Sequence, residues 1–278
     1  MASSNGKTAA KALGLLFCIS SFTGCVRASR YLYLSGCDRD IAKATKSIEA
    51  GKNITQQALG YADRGDAYAE KARYSRAFKL ISNEEYERLF ALAKKDYEQA
   101  IGLAPDNADF YFRRGRAFYM RAALDFMEGG KSSDFFAPAK VDFSKAIEKN
   151  PKHELAFDMR GLVGEDTGDL DGAISDFAAE AALNPQSRYR LADAYCQRGS
   201  RHPGDKNQEL AILDFEKAID MRTLSDPCEC EPYNPLVAIY LEKQDYSKAR
   251  TVVDRARKAG QSIAPEYLEK LKNATAGK

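Results

Sequence analysis

Residues 151–185 read PKHELAFDMRGLVGEDTGDLDGAISDFAAEAALNP, and the prolines at the two ends stand 34 residues apart. Proline lacks a backbone N–H and clashes with the preceding helical turn, so each one ends a helix and opens a turn. Between them lie two stretches with apolar residues at helical spacing, the first with Phe157 and Gly161 and the second with Ala173 and Phe177. The segment therefore predicts two antiparallel helices, each with one apolar face.

The same features recur along the chain, which indicates internal repetition. An acidic residue followed by an aromatic one occurs at Asp96-Tyr97, Asp142-Phe143, Asp176-Phe177 and Asp214-Phe215. An arginine–glycine pair occurs at Arg64-Gly65, Arg114-Gly115 and Arg160-Gly161. Glycine in mid-helix costs about 1 kcal/mol relative to alanine, so its recurrence predicts a neighbouring helix packed closely against it. Because one hairpin cannot bury both of its apolar faces, the copies are expected to stack on one another.

This pattern resembles the tetratricopeptide repeat (TPR), and the resemblance covers residues 55–262 in five copies. It implies an all-α fold, a right-handed superhelix (solenoid) of about five TPR helical hairpins. The expected divisions of the chain are a lipoprotein-type signal peptide (1–24), a tether and entry helix (25–54), the repeat domain (55–262), and a C-terminal capping helix and tail (263–278). Apolar spacing places the entry helix at 38–52 and the cap at 265–272, with proline in its first turn.

The first two copies are longer than the 34-residue unit. The step from Gly65 to Ala93 is 28 residues and the step from Gly115 to Ala139 is 24, against 12 in the third copy. We therefore expect extended helices in the first two repeats. A capping-box pattern at Ser82 predicts that a helix begins there.

The fourth copy also contains an insertion, and the insertion of the second copy has two possible roles. Taking Ala192 as the small residue of the fourth copy gives a step of 19 residues to Ala211, an insertion of seven in the same turn. The second insertion carries Phe126, Phe135 and Phe136. These aromatic side chains could form a docking ridge for a partner, or they could pack on the extended helices of the first copy.

The first 36 residues contain no Asp or Glu. They begin with a basic segment, and residues 12–22, which follow it, form an apolar stretch. This stretch is too short to span a bilayer, which needs about 20 residues, and it fits a secretory signal. Phe22-Thr23-Gly24-Cys25 resembles the bacterial lipobox, with Phe22 where an aliphatic residue is usual. The resemblance implies lipidation of Cys25 and a membrane-anchored lipoprotein of the cell envelope, facing the periplasm or in the outer membrane. A plain signal peptide cut after Ala28, an organelle transit peptide and an unprocessed tail are the alternatives.

Composition and motif spacing point away from catalysis. Lysine and arginine number 42 and aspartate and glutamate 40, so the chain lacks the basic excess that nucleic-acid binding needs. Its histidines, His153 and His202, are interpreted as surface residues of turns. The four cysteines beyond the leader allow three pairings, and free thiols and a disulfide both stay open; they are Cys37, Cys196, Cys228 and Cys230. We expect no enzymatic activity, no cofactor and no metal site.

In a TPR stack the concave groove is lined mainly by the first helix of each copy, and the resemblance assigns partner-binding residues on that basis. They are Asp66, Glu70, Asp109, Phe112, Arg116, Tyr119, Asp158, Leu162, Glu165, Asp166, Tyr189 and Asp193. Acidic residues outnumber the one arginine, so basic or neutral partner segments are expected, with the aromatic side chains as anchors. The alternative is that the carboxylates only keep an open surface soluble.

The expected function is a non-catalytic protein–protein interaction scaffold that binds a protein or peptide and is held at the membrane by its N-terminal lipid. Two rival functions stay open. One is a soluble TPR adaptor in the cytoplasm, and the other is an exported TPR protein that organises cell-wall enzymes.

Overall fold

The computed structural model describes residues 23–129, 133–201, 208–222 and 230–276. Residues 1–22 of the predicted signal peptide, the Cys25 side chain, His202 and Cys228 lie outside this description, so lipidation stays a prediction. The described residues form twelve α-helices, one 3-10 turn and no strands, which confirms the predicted all-α class. The chain divides into two compact units, unit 1 (Met1–Thr167) and unit 2 (Gly168–Lys278).

Within each unit, consecutive helices contact one another. Unit 1 contains α1 (Thr23–Ala50), α2 (Ile54–Ala77), α3 (Asn83–Leu103), α4 (Ala108–Met127), α5 (Ser133–Lys149) and α6 (Glu154–Thr167). Unit 2 contains α7 (Leu170–Leu183), a 3-10 turn (Pro185–Ser187), α8 (Arg188–Ser200), α9 (Gln208–Met221), α10 (Tyr233–Glu242), α11 (Tyr246–Lys258) and α12 (Pro265–Ala276). The pairs α2/α3 and α4/α5 are the first two copies, and α8/α9 and α10/α11 are the last two. Helices α6 and α7 are the two helices of the third copy.

A glycine in the first helix of a hairpin meets an aromatic ring of the second. A Cβ atom at Gly65 would lie 2.9 Å from the ring of Tyr97, which leaves no room for any side chain there. Gly115 has the same relation to Phe143, also at 2.9 Å. The close helix packing predicted from the recurrent glycine is confirmed, and with it the TPR-type helical hairpin.

A largely buried ion pair also joins the two helices of a hairpin. Arg64 donates two hydrogen bonds to the Asp96 carboxylate, at 2.7 and 2.8 Å, and these bonds raise the pKa of the guanidinium. The equivalent pairs are Arg114–Asp142 and Arg198–Asp214, with distances of 2.7 and 2.8 Å in each. The arginine precedes the packed glycine and the aspartate precedes the packed aromatic residue. The two recurrent dipeptides of the sequence are therefore the two sides of one contact.

The fourth copy has a different register from the predicted one. Gly199, and not Ala192, packs on the ring of Phe215, where a Cβ would lie 3.1 Å away. Gly199 and Ala211 are separated by the standard 12 residues, and the extra residues come earlier, where Pro185–Ser187 forms a 3-10 turn. The predicted insertion of seven is therefore wrong. Ala192 is itself a small, fully buried residue of the same helix, so it resembles the repeat position, but the inserted turn places the true position seven residues later, at Gly199.

The first two copies have extended helices, as predicted. Helices α2 and α3 have 24 and 21 residues and α4 and α5 have 20 and 17, against 14 in each of α6 and α7. The Ser82 side chain caps α3 by accepting the Glu85 N–H at 3.2 Å. Phe136 is buried, and the Phe135 ring centroid lies 5.9 Å from that of Phe90 on α3. The structure therefore favours packing on the extended helices over a docking ridge.

The helices at the two ends differ in how well they were predicted. The entry helix α1 starts at Thr23, well before the predicted start at residue 38, and it ends before Gly51. The cap α12 starts at Pro265, as predicted, and buries Leu271 in the core of unit 2. None of the described helices combines the length and the apolar content needed to cross a membrane.

Candidate functional site

Ten of the twelve predicted groove residues lie in unit 1, on the first helices of copies one to three. These helices contact one another in order, α2 with α4 and α4 with α6. The structure brings Asp66 together with Arg116, and Tyr119 together with Asp166. The predicted face therefore exists within unit 1, but its side chains are used differently from what the sequence led us to expect.

Asp66 is the centre of an ion-pair cluster between α2 and α4. Its Oδ1 accepts hydrogen bonds from the Tyr97 hydroxyl at 2.8 Å and from Arg116 at 3.3 Å, and its Oδ2 accepts one from Arg113 at 3.1 Å. Arg113 also donates to Asp63 at 2.8 Å. Burial, followed by the adjacent Asp66 carboxylate, raises the pKa of Tyr97 well above 10.0. Two arginines thus neutralise Asp66, and the sequence pattern identified only Arg116.

Glu70 is likewise paired with an arginine. It accepts hydrogen bonds from Arg73 at 2.5 and 3.1 Å and from the Tyr33 hydroxyl at 3.2 Å. Burial, followed by the charge of Glu70, raises the pKa of Tyr33 to about 12. The inferred groove positions include neither Arg73 nor Arg113, although the i,i+3 spacing of Glu70 and Arg73 could have revealed one of the two pairs. The acidic excess of this face is therefore smaller than the sequence count predicted.

Asp109 lies beside a buried histidine. His153, predicted to be a surface residue of a turn, is buried instead. Its Nδ1 accepts the Ala156 N–H at 3.2 Å in the first turn of α6, and its Nε2 lies 3.2 Å from Asp109 Oδ1. Its ring centroid is 4.9 Å from that of Phe112. The prediction was wrong because the turn that carries His153 packs against α4, where the imidazole caps one helix and contacts the other.

Two of the three predicted aromatic anchors, Phe112 and Tyr119, belong to the core of unit 1. Phe112 and Tyr119 are only 9% and 1% exposed, and the ring centroid of Phe112 lies 5.9 Å from that of Phe143. The predicted residues of α6 are also withdrawn from solvent: Asp158 and Glu165 are buried, and Leu162 and Asp166 are partly buried. A partner cannot use Phe112 or Tyr119 as an anchor in this conformation, so that prediction is corrected.

Asp166 is a partly buried carboxyl group of α6. The Tyr119 hydroxyl donates a hydrogen bond to its Oδ2 at 3.0 Å. Burial raises the pKa of Asp166 from 3.8 to about 6, and the hydrogen bond only partly opposes this shift. Because the pKa is higher in the folded chain, the folded state holds this proton more tightly than the unfolded state does. Ionisation of Asp166 therefore costs stability, increasingly as the pH rises from about 4 to about 6.

Replacing Asp166 with asparagine should stabilise the protein at neutral pH more than in acid. The amide keeps an acceptor for the Tyr119 hydroxyl but carries no charge. We expect the stability difference between Asp166→Asn and the wild type to grow by roughly 2 kcal/mol between pH 4.5 and 7.5. Urea midpoints at the two pH values measure it. Asp254→Asn, at an exposed site on α11, is the control, and an equal pH response of both variants contradicts the prediction.

The two predicted residues in unit 2 take other positions because of the shifted register. Tyr189 is partly buried, with the Arg190 guanidinium 5.6 Å from its ring centroid. Asp193 is buried and accepts a hydrogen bond at 2.8 Å from Arg222, which is buried too and also donates to the Cys230 carbonyl. Asp193 therefore holds the end of α9 against α8 and is withdrawn from any ligand.

An open groove of about 640 Å³ runs between α1 and α2 in unit 1, and we call it the entry-helix groove. It is lined by Leu32, Tyr33, Gly36, Cys37, Asp40, Lys43, Ala44 and Ser47 of α1 and by Asp63, Asp66, Ala67 and Glu70 of α2. Ligand sites typically enclose about 300–1,000 Å³. Only Asp66 and Glu70 were predicted. The residues of α1 were missed because the repeat pattern does not extend to that helix, and Asp63 and Ala67 because they lie outside the groove positions that the resemblance assigns. The helical spacing of the α1 residues is the signal that could have found them.

No protein-family model and no curated protein matches this sequence. Among solved structures, the chain is similar to YrrB, described as a TPR protein with an unusual peptide-binding site, at 19% identity over 84% of this chain and 97% of that one (TM-score 0.46). It is similar to MamA at 16% identity over 72% and 98% (TM-score 0.39), and to BtubC from P. vanneervenii at 15% over 82% and 94% (TM-score 0.40). The TPR resemblance of this chain therefore rests on its own repeat pattern and hairpin packing.

Proposed function

We propose that this protein is a non-catalytic interaction scaffold that holds a segment of a partner protein in the entry-helix groove of unit 1. The observation that carries the proposal is the groove itself, an open trough of about 640 Å³ with exposed apolar and charged side chains. Two of its carboxylates, Asp66 and Glu70, are engaged in ion pairs with arginines that fix the wall formed by α2. A trough with a fixed wall suits binding better than proton transfer.

We further propose that the scaffold is exported and anchored in a bacterial envelope membrane through lipid on Cys25. The lipobox-like residues 22–25 supply one reason. The disulfide between Cys196 and Cys230 supplies another, because disulfides persist mainly in oxidising compartments outside the cytosol. The partner is then expected in the envelope, where the groove is available to it.

Labelling with radioactive palmitate tests the anchor. The wild-type chain, expressed in a bacterium that processes lipoproteins, should incorporate label and remain with the membrane fraction. Cys25→Ala should abolish incorporation, whereas Cys37→Ala should leave it unchanged, because Cys37 is a buried thiol of α1. Absence of label in the wild-type chain contradicts the lipid anchor and favours the cytoplasmic adaptor.

Site-directed photocrosslinking tests the scaffold. A benzophenone amino acid at Ser47, an exposed position on the groove wall, should give a discrete crosslinked species in intact cells. The same group at Lys258, an exposed position of α11, is the matched control and should give none. If neither position yields a crosslinked protein, the proposed function is wrong.

A further inference from the structure

We infer that the entry-helix groove takes a peptide segment that carries an apolar side chain followed by a lysine or arginine. This inference rests on the proposed function and adds the chemistry of the partner. It follows from the order of side chains along the groove and from which of its charges are already paired.

The groove has fixed walls and a gap in the middle. At one end the Tyr33 hydroxyl donates to Glu70 at 3.2 Å, and at the other Arg64 donates to Thr45 at 3.3 Å, so α1 and α2 are held together at both ends. Gly36 lies between these contacts. A Cβ there would meet only the Arg39 guanidinium, 4.0 Å away, so the wall is open at this point.

The end of the groove nearest the start of α1 is apolar. Leu32 is 64% exposed and Tyr33 is 39% exposed, and Cys37 lies one turn further along the same face. Exposed apolar side chains beside an open trough are the part of a surface that gains most from being covered. This end therefore suits an apolar side chain of the partner.

Further along, the groove presents carboxylates with spare hydrogen-bonding capacity. Asp63 of α2 is 59% exposed and accepts one hydrogen bond, from Arg113. Asp40 of α1 is exposed, and it has no hydrogen bond or ion pair to any residue that the structure describes. A carboxylate can accept several hydrogen bonds, so a cation bound between the two opposite walls would donate hydrogen bonds to both carboxylates. Asp66 and Glu70 do not compete for that cation, because arginines already pair with them.

Lys43 should have the opposite effect on the binding of a basic segment from Asp40 and Asp63. It is exposed and lines the groove one turn after Asp40, and among the lining residues that the structure describes it is the one cation that opposes a basic ligand. Removing Lys43 should strengthen the binding of a basic segment, whereas removing the charges of Asp40 and Asp63 should weaken it. A general loss of structure could not move the two results in opposite directions.

Fluorescence anisotropy with three labelled decapeptides tests the inference on the whole chain. The first peptide carries two leucines followed, three residues later, by two lysines. In the second, glutamates replace the lysines, and in the third, serines replace the leucines. We expect the first to bind at least tenfold more tightly than either of the others, with affinity falling as salt rises. Its Kd should rise about fivefold in Asp40→Asn/Asp63→Asn and fall in Lys43→Ala.

Equal binding of the lysine and glutamate peptides overturns the cationic specificity, and so does a Kd that stays unchanged in the double variant. These outcomes are distinguishable from failure of the scaffold itself. A crosslink at Ser47 without a preference for lysine leaves the proposed function in place and removes only this inference. Absence of both the crosslink and peptide binding removes the two together.

Discussion

Replacing Asp142 with alanine should lower the free energy of unfolding by about 3 kcal/mol. The residue is 2% exposed, and its carboxylate accepts hydrogen bonds from Arg114 at 2.7 and 2.8 Å. Those hydrogen bonds raise the pKa of Arg114. Without Asp142 the guanidinium stays charged in largely buried surroundings with its main partner removed. The loss should appear as a lower midpoint in urea denaturation followed by circular dichroism.

Three further variants separate the ion pair from simple packing. Asp142→Asn keeps the shape and one acceptor and should lose less stability. Glu148→Ala removes an exposed pair with Lys145 on the same helix and should change the midpoint little. Arg114→Met combined with Asp142→Leu should recover part of the loss, because no unpaired charge then stays in place. Equal midpoints for Asp142→Ala and Glu148→Ala contradict the prediction.

The parts of the fold that the sequence predicted are those set by local spacing. The glycine in the first helix of copies one, two and four recurs because a ring of the next helix occupies the space of its side chain, as at Gly65 and Tyr97. Helix lengths in the first two copies follow from the number of inserted residues and from the cap at Ser82. In the fourth copy this reasoning failed, because an inserted turn shifted Gly199 along the chain and Ala192, a small buried residue of the same helix, stood near the expected position.

The candidate site was harder to predict because it depends on contacts between copies. Arg113 belongs to the second copy, yet its guanidinium pairs with Asp63 and Asp66 of the first. A count of the charges at the inferred groove positions does not reveal such an ion pair between copies. Phe112 is a second example. Its ring is covered by His153, which belongs to the third copy, and by Phe143. Helix α1, which forms half of the entry-helix groove, lies outside the repeat altogether.

Breaking the disulfide between Cys196 and Cys230 should cost unit 2 about 3 kcal/mol, because the bond closes a long loop and restricts the unfolded chain. The two cysteines are 34 residues apart in sequence. Cys196 is fully buried in α8, and Cys230 precedes α10. Arg222, at the end of α9, donates to the Cys230 carbonyl and to Asp193 of α8, so the disulfide and a buried ion pair hold the same junction. Reduction should therefore loosen the start of the fifth copy.

Urea denaturation and limited proteolysis of the oxidised and reduced wild-type chain measure this effect. The reduced chain should match Cys196→Ser/Cys230→Ser in midpoint and should be cleaved earlier between residues 230 and 258. Cys228→Ser should keep the oxidised midpoint, and a non-reducing digest of that variant should still contain the linked Cys196 and Cys230 peptides. Cys37→Ala, which removes a free thiol of unit 1, should leave the response to reductant unchanged. If reduction leaves the wild-type midpoint where it was, the disulfide does not stabilise the junction, and the argument from it for an oxidising compartment fails as well.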